Sequence, residues 1–106
     1  MISTEDLRRS ATAALFEGRD DVAVSIFVTE YERGQGPSLH LHPYPEVFVV
    51  QTGTAAFTAG DEELVVTGGH IVVVPARTPH AFKGAGEDTL RVVSVHPSGT
   101  VEQTNL

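Results

Sequence analysis

Turn-forming residues interrupt this chain at short, regular intervals, and this spacing limits the elements that the chain can form. Clusters containing Gly, Pro or Asp recur about every eight to ten residues. Between them lie segments rich in Val, Ile, Phe and Thr, at residues 22–32, 46–52, 55–59, 62–67, 70–74, 80–83 and 89–96. Short apolar strands with evenly spaced turns are typical of an antiparallel sandwich or barrel. We therefore predict an all-β chain in which Gly60-Asp61 forms a two-residue hairpin turn.

The N-terminal segment is the one part of the chain with a helical signal. Ser3 or Thr4 can cap a first turn that carries two acidic residues. Residues 11–16 fit either a helix or a strand, and the turn that follows them favours a strand. We expect residues 1–17 to form an N-terminal arm or strand, and residues 18–106 to form the barrel of a single domain.

Charge and composition exclude some classes of partner and restrict which side chains can form a metal site. The formal net charge is −7, which repels phosphate backbones and anionic lipids, so neither nucleic acid nor a membrane is expected as a partner. The chain has no cysteine, so any metal site has to be built from His and carboxylate side chains. The first ten residues lack the apolar stretch of a secretory signal, which predicts a cytoplasmic protein. The last five residues, EQTNL, suggest a frayed or partner-bound tail.

Four potential metal ligands fall in three separate parts of the sequence. His40 and His42 are two residues apart in an extended segment, so their side chains share a face, with backbones about 6 to 7 Å apart. Glu46 keeps the same parity, although two intervening prolines interrupt a simple strand. His80 opens a later strand, and a sheet that closes on itself can bring it over the other three.

Three imidazoles and one carboxylate suit a divalent transition metal. Neutral imidazole matches Fe, Mn, Ni or Zn, and the carboxylate favours octahedral Fe or Mn. Four ligands on an octahedral ion leave two positions open for a substrate, dioxygen or water. The alternative is that the histidines are hydrated strand or turn residues and that Glu46 is a surface carboxylate.

A longer sequence pattern around these residues favours a metal site over hydrated surface residues. It has the form G-x5-H-x-H-x3-E-x6-G from Gly34 to Gly53, and G-x5-P-x3-P-H from Gly69 to His80. Over nearly its whole length the chain resembles a small single-domain cupin. This resemblance implies a double-stranded β-helix (jelly-roll) barrel with a short N-terminal arm. It also implies that His40, His42, Glu46 and His80 hold a metal ion.

The second motif departs from the cupin pattern at two positions. Arg77 stands where a glycine is usual, and Gly84 stands where an asparagine is usual. A non-glycine residue resists a positive φ, so Arg77 brings the tight turn before His80 into question. The Arg77 guanidinium can bind a substrate carboxylate at the barrel rim, or it can pair with an acid on the surface. His70 follows a Gly-Gly turn and is expected in solvent.

Two further residues are candidates for a catalytic role. Ser94 and His96 share one side of their predicted strand, so His96 can enter the barrel and act as a proton donor or acceptor. The alternative, favoured by the turn residues 97–99, is that His96 ends the strand and bonds to that turn. Tyr44, held between two prolines, can supply a phenol to the site or pack as a ring on the barrel lip.

The strand that begins at Glu46 is apolar on both faces. Phe48 and Val50 share the side of Glu46, whereas Val47 and Val49 point the other way. Such a strand needs cover on both sides. We expect a second subunit to provide it in a homodimer, and the alternative is a monomer whose N-terminal arm covers the surface.

These residues favour two functions. The first is a metal-dependent enzyme that acts on a small organic molecule, which by resemblance to cupins means an oxygenase, an isomerase or a related lyase. The second is a non-catalytic small-molecule binding or sensing module. A proton-transfer group beside the metal site favours catalysis, and an aliphatic lumen favours binding alone.

Overall fold

Ten β-strands form two five-stranded sheets that face each other. The computed structural model describes residues 1–106. The strands are β1 (Ala13–Glu17), β2 (Ser25–Tyr31), β3 (His40–Leu41), β4 (Glu46–Thr52), β5 (Thr54–Ala59), β6 (Glu62–Thr67), β7 (His70–Val74), β8 (His80–Gly84), β9 (Leu90–His96) and β10 (Thr104–Asn105). Sheet A has the order β1-β2-β9-β4-β7, and sheet B has the order β10-β3-β8-β5-β6. This antiparallel, all-β architecture confirms the fold predicted from the turn spacing.

The strand boundaries follow the turn residues closely. β5 and β6 are joined by Gly60-Asp61, with Ala59 paired to Glu62. Gly60 has a φ of +57°, a value that residues with a Cβ rarely adopt. The predicted two-residue hairpin is therefore confirmed.

None of the chain's helical segments has the length and apolar character that a membrane-spanning helix needs.

The apolar core fills one end of the space between the sheets. Its largest members are Phe48, Phe57, Phe82 and Leu90, each no more than 4% exposed. The rings of Phe57 and Phe82 stack with centroids 4.7 Å apart. Along β4, β8 and β9 the inward-facing side chains change from apolar at this end to polar at the other. The polar ends of these three strands carry the residues of the candidate site.

The N-terminal segment runs beside sheet A and does not cross its outer face. A short 3₁₀ helix spans Thr4–Leu7, and the Ser3 hydroxyl caps it by accepting the Glu5 N–H at 3.2 Å. Arg8 forms a β-bridge with Ala14. β1 then pairs with β2 along its whole length, which confirms a strand for most of residues 11–16.

The prediction of a frayed C-terminal tail is wrong. Asn105 pairs with His40 of β3, and the Leu106 N–H donates to the Leu39 carbonyl at 3.0 Å. A two-residue strand has no room for a periodic apolar pattern, so the sequence carries no signal for it. The tail thereby fixes the strand that carries His40.

The tight turn before His80 forms despite its departure from the motif. Arg77 has a φ of +59°, and its N–H donates to the His42 carbonyl at 2.7 Å. This bond ties the turn to the other histidine segment. Holding a residue with a Cβ in this region costs about 1 kcal/mol or more, and the fold accommodates the cost. Gly84 makes only backbone contacts there, donating its N–H to the Gln35 carbonyl at 2.9 Å.

Candidate metal centre

Both sheets contribute side chains to one polar cluster at the end of the barrel. His40 and His80 are direct partners on β3 and β8 of sheet B. His42 lies just beyond β3, and Glu46 begins β4 in sheet A. Both β4 and β8 start at this end of the sandwich, so their first inward-facing residues approach each other across the gap between the sheets. Chain positions 40 and 80 meet there because β3 and β8 are neighbouring strands of sheet B.

The four predicted ligands converge within a small volume. One donor atom from each of His40, His42, Glu46 and His80 lies within 4.8 Å of the other three, and all four residues are buried. The Glu46 Oε1 atom is 2.9 Å from His42 Nε2 and 3.1 Å from His80 Nε2. This group can hold a metal ion.

Backbone carbonyls fix the orientation of the three imidazoles. The Nδ1 atom lies 2.6 Å from the Ser38 carbonyl for His40, 2.8 Å from the Glu102 carbonyl for His42, and 2.8 Å from the Thr78 carbonyl for His80. A carbonyl oxygen can only accept, so each Nδ1 carries the proton. In the neutral ring Nε2 then holds a lone pair, which is the state that a metal requires.

Burial and mutual contact shift the protonation of these groups. Burial alone would raise the pKa of Glu46, but three neighbouring imidazoles outweigh it and hold that pKa far below its usual range. Burial would lower the pKa of His42, but the Glu46 carboxylate and the Glu102 carbonyl outweigh it, so the pKa is raised. The pKa of His40 is lowered, mainly by burial and also by His80 and His42. The cluster thus combines a permanent negative charge with at least one readily neutral imidazole.

One polar atom of the cluster has no hydrogen-bond partner within the chain. His42 Nε2 is fully buried, and although it is 2.9 Å from Glu46 Oε1 the two do not align as a hydrogen bond. A buried polar atom without a partner is destabilising. A divalent cation among the four donors would satisfy this nitrogen, and three nitrogen donors with one oxygen donor match transition-metal preferences. The donor set therefore fits the metal that the sequence motif implies.

His96 also points into this cluster. Its Nε2 lies 3.1 Å from Glu46 Oε2, without aligned hydrogen-bond geometry, and it is the second fully buried nitrogen with no partner. Its backbone carbonyl accepts the Ser98 N–H at 2.8 Å, so the turn contact considered from the sequence involves the backbone while the side chain faces inward. The side chain faces inward because the alternation of β9 continues to its last residue, which the sequence alone did not settle.

Tyr44 reaches the cluster through His96. Its hydroxyl lies 2.7 Å from His96 Nδ1 and accepts the Glu102 N–H at 3.2 Å. Its ring stacks on His42 at an interplanar angle of 3°. Burial raises the pKa of the Tyr44 phenol, so the hydroxyl keeps its proton at neutral pH. The sequence analysis gave two alternatives for Tyr44, a packing ring or a phenol at the site. Its ring packs on His42 and its hydroxyl contacts His96, so the two roles occur together.

A small cavity opens beside the cluster. Its volume is about 90 Å³, and its walls include His40, His42, Glu46, His96 and the rings of Phe27, Phe48 and Phe82. Ser94 adds a hydroxyl to the lining. This volume corresponds to about three water molecules at liquid density. The cavity is partly open to solvent, so a ligand bound at its inner end can extend beyond this volume.

Two residues considered from the sequence lie outside the site. His70 is exposed and bonds to the Thr67 carbonyl at 2.9 Å. Arg77 is also exposed and does not line the cavity. His70 is thus the one histidine of five that takes no part in the cluster.

Comparisons of sequence find one protein family and one relative. A family model described as "Cupin domain" matches residues 27–96. An uncharacterized protein of Streptomyces coelicolor is 38% identical over 72 residues, which are 68% of this chain and 68% of that protein. The residues that the family model matches include the four ligand candidates and His96.

Comparisons of structure find the same fold at low sequence identity. A Klebsiella pneumoniae protein with a double-stranded β-helix domain matches 99% of this chain and 89% of its own length, with a TM-score of 0.81 and 18% identity. The oxalate decarboxylase of Bacillus subtilis, which has Mn(II) centres, matches 92% of this chain with a TM-score of 0.82 and 16% identity. This chain spans only 29% of that enzyme.

Proposed function

This chain belongs to the cupin family, and on that premise we propose that it binds one divalent transition metal ion and uses the ion to bind a small organic molecule. The ligands would be His40, His42 and His80 through Nε2, and Glu46 through Oε1. The observation that carries the proposal is the convergence of four buried donor residues, one of which, His42, has a buried Nε2 without a hydrogen-bond partner. A backbone carbonyl holds Nδ1 of each of the three imidazoles, which is the orientation that leaves Nε2 available as a metal ligand.

Several metals are compatible with this donor set. Fe, Mn, Ni and Zn all accept three imidazoles and one carboxylate. The Mn(II) centres of the Bacillus subtilis oxalate decarboxylase support Mn as one candidate. When bound, the metal would supply Lewis-acid or redox chemistry at the coordination positions that the protein leaves open.

We propose that the molecule bound beside the metal is turned over, and that His96 and Tyr44 are the catalytic residues. His96 lines the cavity, and its Nε2 atom is buried with no aligned partner, so this nitrogen has a hydrogen bond left to make with a ligand that reaches it. The Tyr44 hydroxyl holds the other ring nitrogen and links it to the Glu102 backbone. A proton-transfer group in this place favours an oxygenase or isomerase over a module that only binds or senses.

The aromatic walls restrict what the enzyme can accept. Phe27, Phe48 and Phe82 surround the polar cluster, and the cavity holds about 90 Å³. A ligand there needs an oxygen for the metal, an acceptor for His96 and a small apolar body. Small phenols, diketones and amino acids are therefore the compounds to screen, because the larger of them can extend out of the open side of the cavity.

Metal content tests the first part of the proposal. Protein purified without a histidine tag should contain about one transition metal per chain by elemental analysis. His42→Ala should lower that content strongly, whereas the matched control His70→Ala, which changes the exposed histidine, should leave it unchanged. Equal metal content in wild type and His42→Ala would show that the ligand assignment is wrong.

Turnover tests the second part. Oxygen uptake or a rearranged product with any screened compound supports an enzyme, and His96→Ala should abolish it while metal content stays at the wild-type level. Saturable binding without turnover would instead support the non-catalytic module. Loss of metal in His96→Ala would refute the separate roles given to His96 and the four ligands.

A further inference from the structure

The cavity beside the metal ligands contains one buried hydroxyl that the fold does not use. Ser94 is 5% exposed and lines this cavity. Of the three buried hydroxyls in sheet A, Ser25 donates to the Ser98 carbonyl at 2.8 Å, Thr29 donates to the Val92 carbonyl at 3.0 Å, and Ser94 has no partner. Buried polar side chains are normally hydrogen-bonded. Ser94 therefore has a hydrogen bond left for a molecule in the cavity.

The position of Ser94 sets the length of the molecule that reaches both this hydroxyl and the metal ligands. On β9 it is the inward-facing residue before His96, so the two backbones are about 7 Å apart. Its neighbours across the sheet are Phe27 on β2 and Phe48 on β4, so the hydroxyl lies between two aromatic residues. A chain of about four carbons spans this distance. One end of such a molecule can bind the metal while the other end bonds to Ser94.

The cavity offers no cationic side chain away from the metal ligands. All seven Lys and Arg residues are exposed, and none lines the cavity. Glu46 is the one acid in its walls, and the nearby His96 Nε2 lies 3.1 Å from Glu46 Oε2, at the metal end. Burial raises the pKa of the Tyr31 phenol, and the Thr29 hydroxyl offsets this only in part, so Tyr31 stays neutral. The walls around Ser94 are therefore aromatic or neutral and polar.

These charges limit the ligand to one negative charge. A divalent cation bound beside the Glu46 carboxylate leaves a single positive charge, which one anionic oxygen of a ligand balances. A second anionic group at the Ser94 end has no cation to pair with. Burying an unpaired charge is far more costly than burying a neutral group that makes a hydrogen bond.

From these observations we propose that the site selects a small monoanion with a neutral hydrogen-bonding group at its far end, and that Ser94 recognises this group. The anionic oxygen, a carboxylate, phenolate or enolate, binds at the metal. The far end is an amide, a hydroxyl or a carbonyl, and dicarboxylates are discriminated against. The inference rests on the proposed metal site and names the class of ligand that this site takes. Ser94 is then a specificity-determining residue.

Three rigid probes of equal length separate charge from hydrogen bonding. They are fumarate, its monoamide, and crotonate, which has a methyl group in place of the second carboxylate. The trans double bond prevents the two ends of one molecule from binding the same ion. In calorimetric titration of Mn-loaded protein at neutral pH, the monoamide should bind about 10-fold or more tightly than fumarate. It should bind about 5- to 10-fold more tightly than crotonate, which cannot bond to Ser94.

Removal of one hydroxyl tests the role of Ser94. Ser94→Ala should lower the affinity for the monoamide to about that for crotonate, and leave the affinity for crotonate unchanged. The matched control Thr58→Ala removes an exposed hydroxyl from β5 in sheet B, and it should change none of the three affinities. Equal weakening of the monoamide and crotonate by Ser94→Ala would show that the residue shapes the cavity without recognising the ligand, and would overturn its assignment.

The ranking of the probes on wild type does not depend on any variant. Fumarate binding as tightly as the monoamide, or more tightly, would overturn the charge argument, and so would a monoamide that does not bind. Elemental analysis of the same samples separates these failures from failure of the metal site. A protein that takes up no metal refutes the proposed metal site, whereas a wrong ranking at one metal ion per chain refutes only the ligand class.

Discussion

Replacing Arg77 with glycine should stabilise this protein. Arg77 is exposed, its side chain makes no hydrogen bond or ion pair, and its φ is +59°. A residue with a Cβ in this left-handed region costs about 1 to 2 kcal/mol, which Arg77→Gly would remove. Glycine has more conformational freedom in the unfolded chain, and this entropy reduces the stabilisation by about 0.5 to 1 kcal/mol. The net stabilisation should be about 0.5 to 1 kcal/mol, because the backbone bond from residue 77 to the His42 carbonyl is kept.

Thermal unfolding of the metal-free protein measures this effect. For a domain of this size, 1 kcal/mol shifts the melting temperature by about 4 to 8 °C, so Arg77→Gly should melt about 2 to 8 °C higher than wild type. Arg77→Ala is the matched control, because it removes the same charge but keeps the Cβ, and its stability should stay within about 0.5 kcal/mol of wild type. Equal stabilisation by both variants would assign the effect to the lost charge, and destabilisation by Arg77→Gly would refute the backbone argument.

The site and the core give three more predictions. Free metal at 100 times its Kd should raise the free energy of unfolding by about 2.7 kcal/mol. Calorimetry should show this as a higher melting temperature, and a chelator should reverse the increase. The raised pKa of His42 stabilises the metal-free fold below pH 6.5, and this contribution is lost as pH rises through that pKa. Metal binding needs a neutral His42, so its affinity should increase over the same window, and the gap between the metal-bound and metal-free melting temperatures should widen with pH; a constant gap would contradict this. Phe57→Ala, at a site 1% exposed and stacked on Phe82, should cost about 3 to 5 kcal/mol in chemical denaturation, and a loss under 1 kcal/mol would show that the core is not organised as described.

Local chemistry made most of the fold predictable. Strands β4, β6 and β7 have the boundaries predicted for them, because Gly, Pro or Asp residues lie immediately beside or close to their ends. The four ligand candidates could be chosen because imidazoles two residues apart share a face and because their spacing matches a known motif. The fold brings the four candidates together, as the resemblance to the family implied. The strand pairing of His40 with His80 explains how two of them meet.

Other features depend on contacts that leave no local trace. The inward direction of His96 follows the alternation of β9, in which Leu90, Val92, Ser94 and His96 are all buried, but the sequence did not determine whether the strand extends to this residue. The pairing of Asn105 with His40 involves too few residues to show a pattern. The turn at Arg77 forms because its N–H reaches the His42 carbonyl, a long-range bond that outweighs the local preference against a positive φ. In the last two cases a tertiary contact, and not a propensity, determines the outcome.

Anomalous diffraction from crystals of the metal-loaded protein tests the central claim most directly. The account predicts one strong peak per chain, about 2.0 to 2.2 Å from Nε2 of His40, His42 and His80 and from a carboxylate oxygen of Glu46. A peak at the exposed His70, or no peak between the two sheets after soaking with Fe, Mn, Ni and Zn, would contradict it.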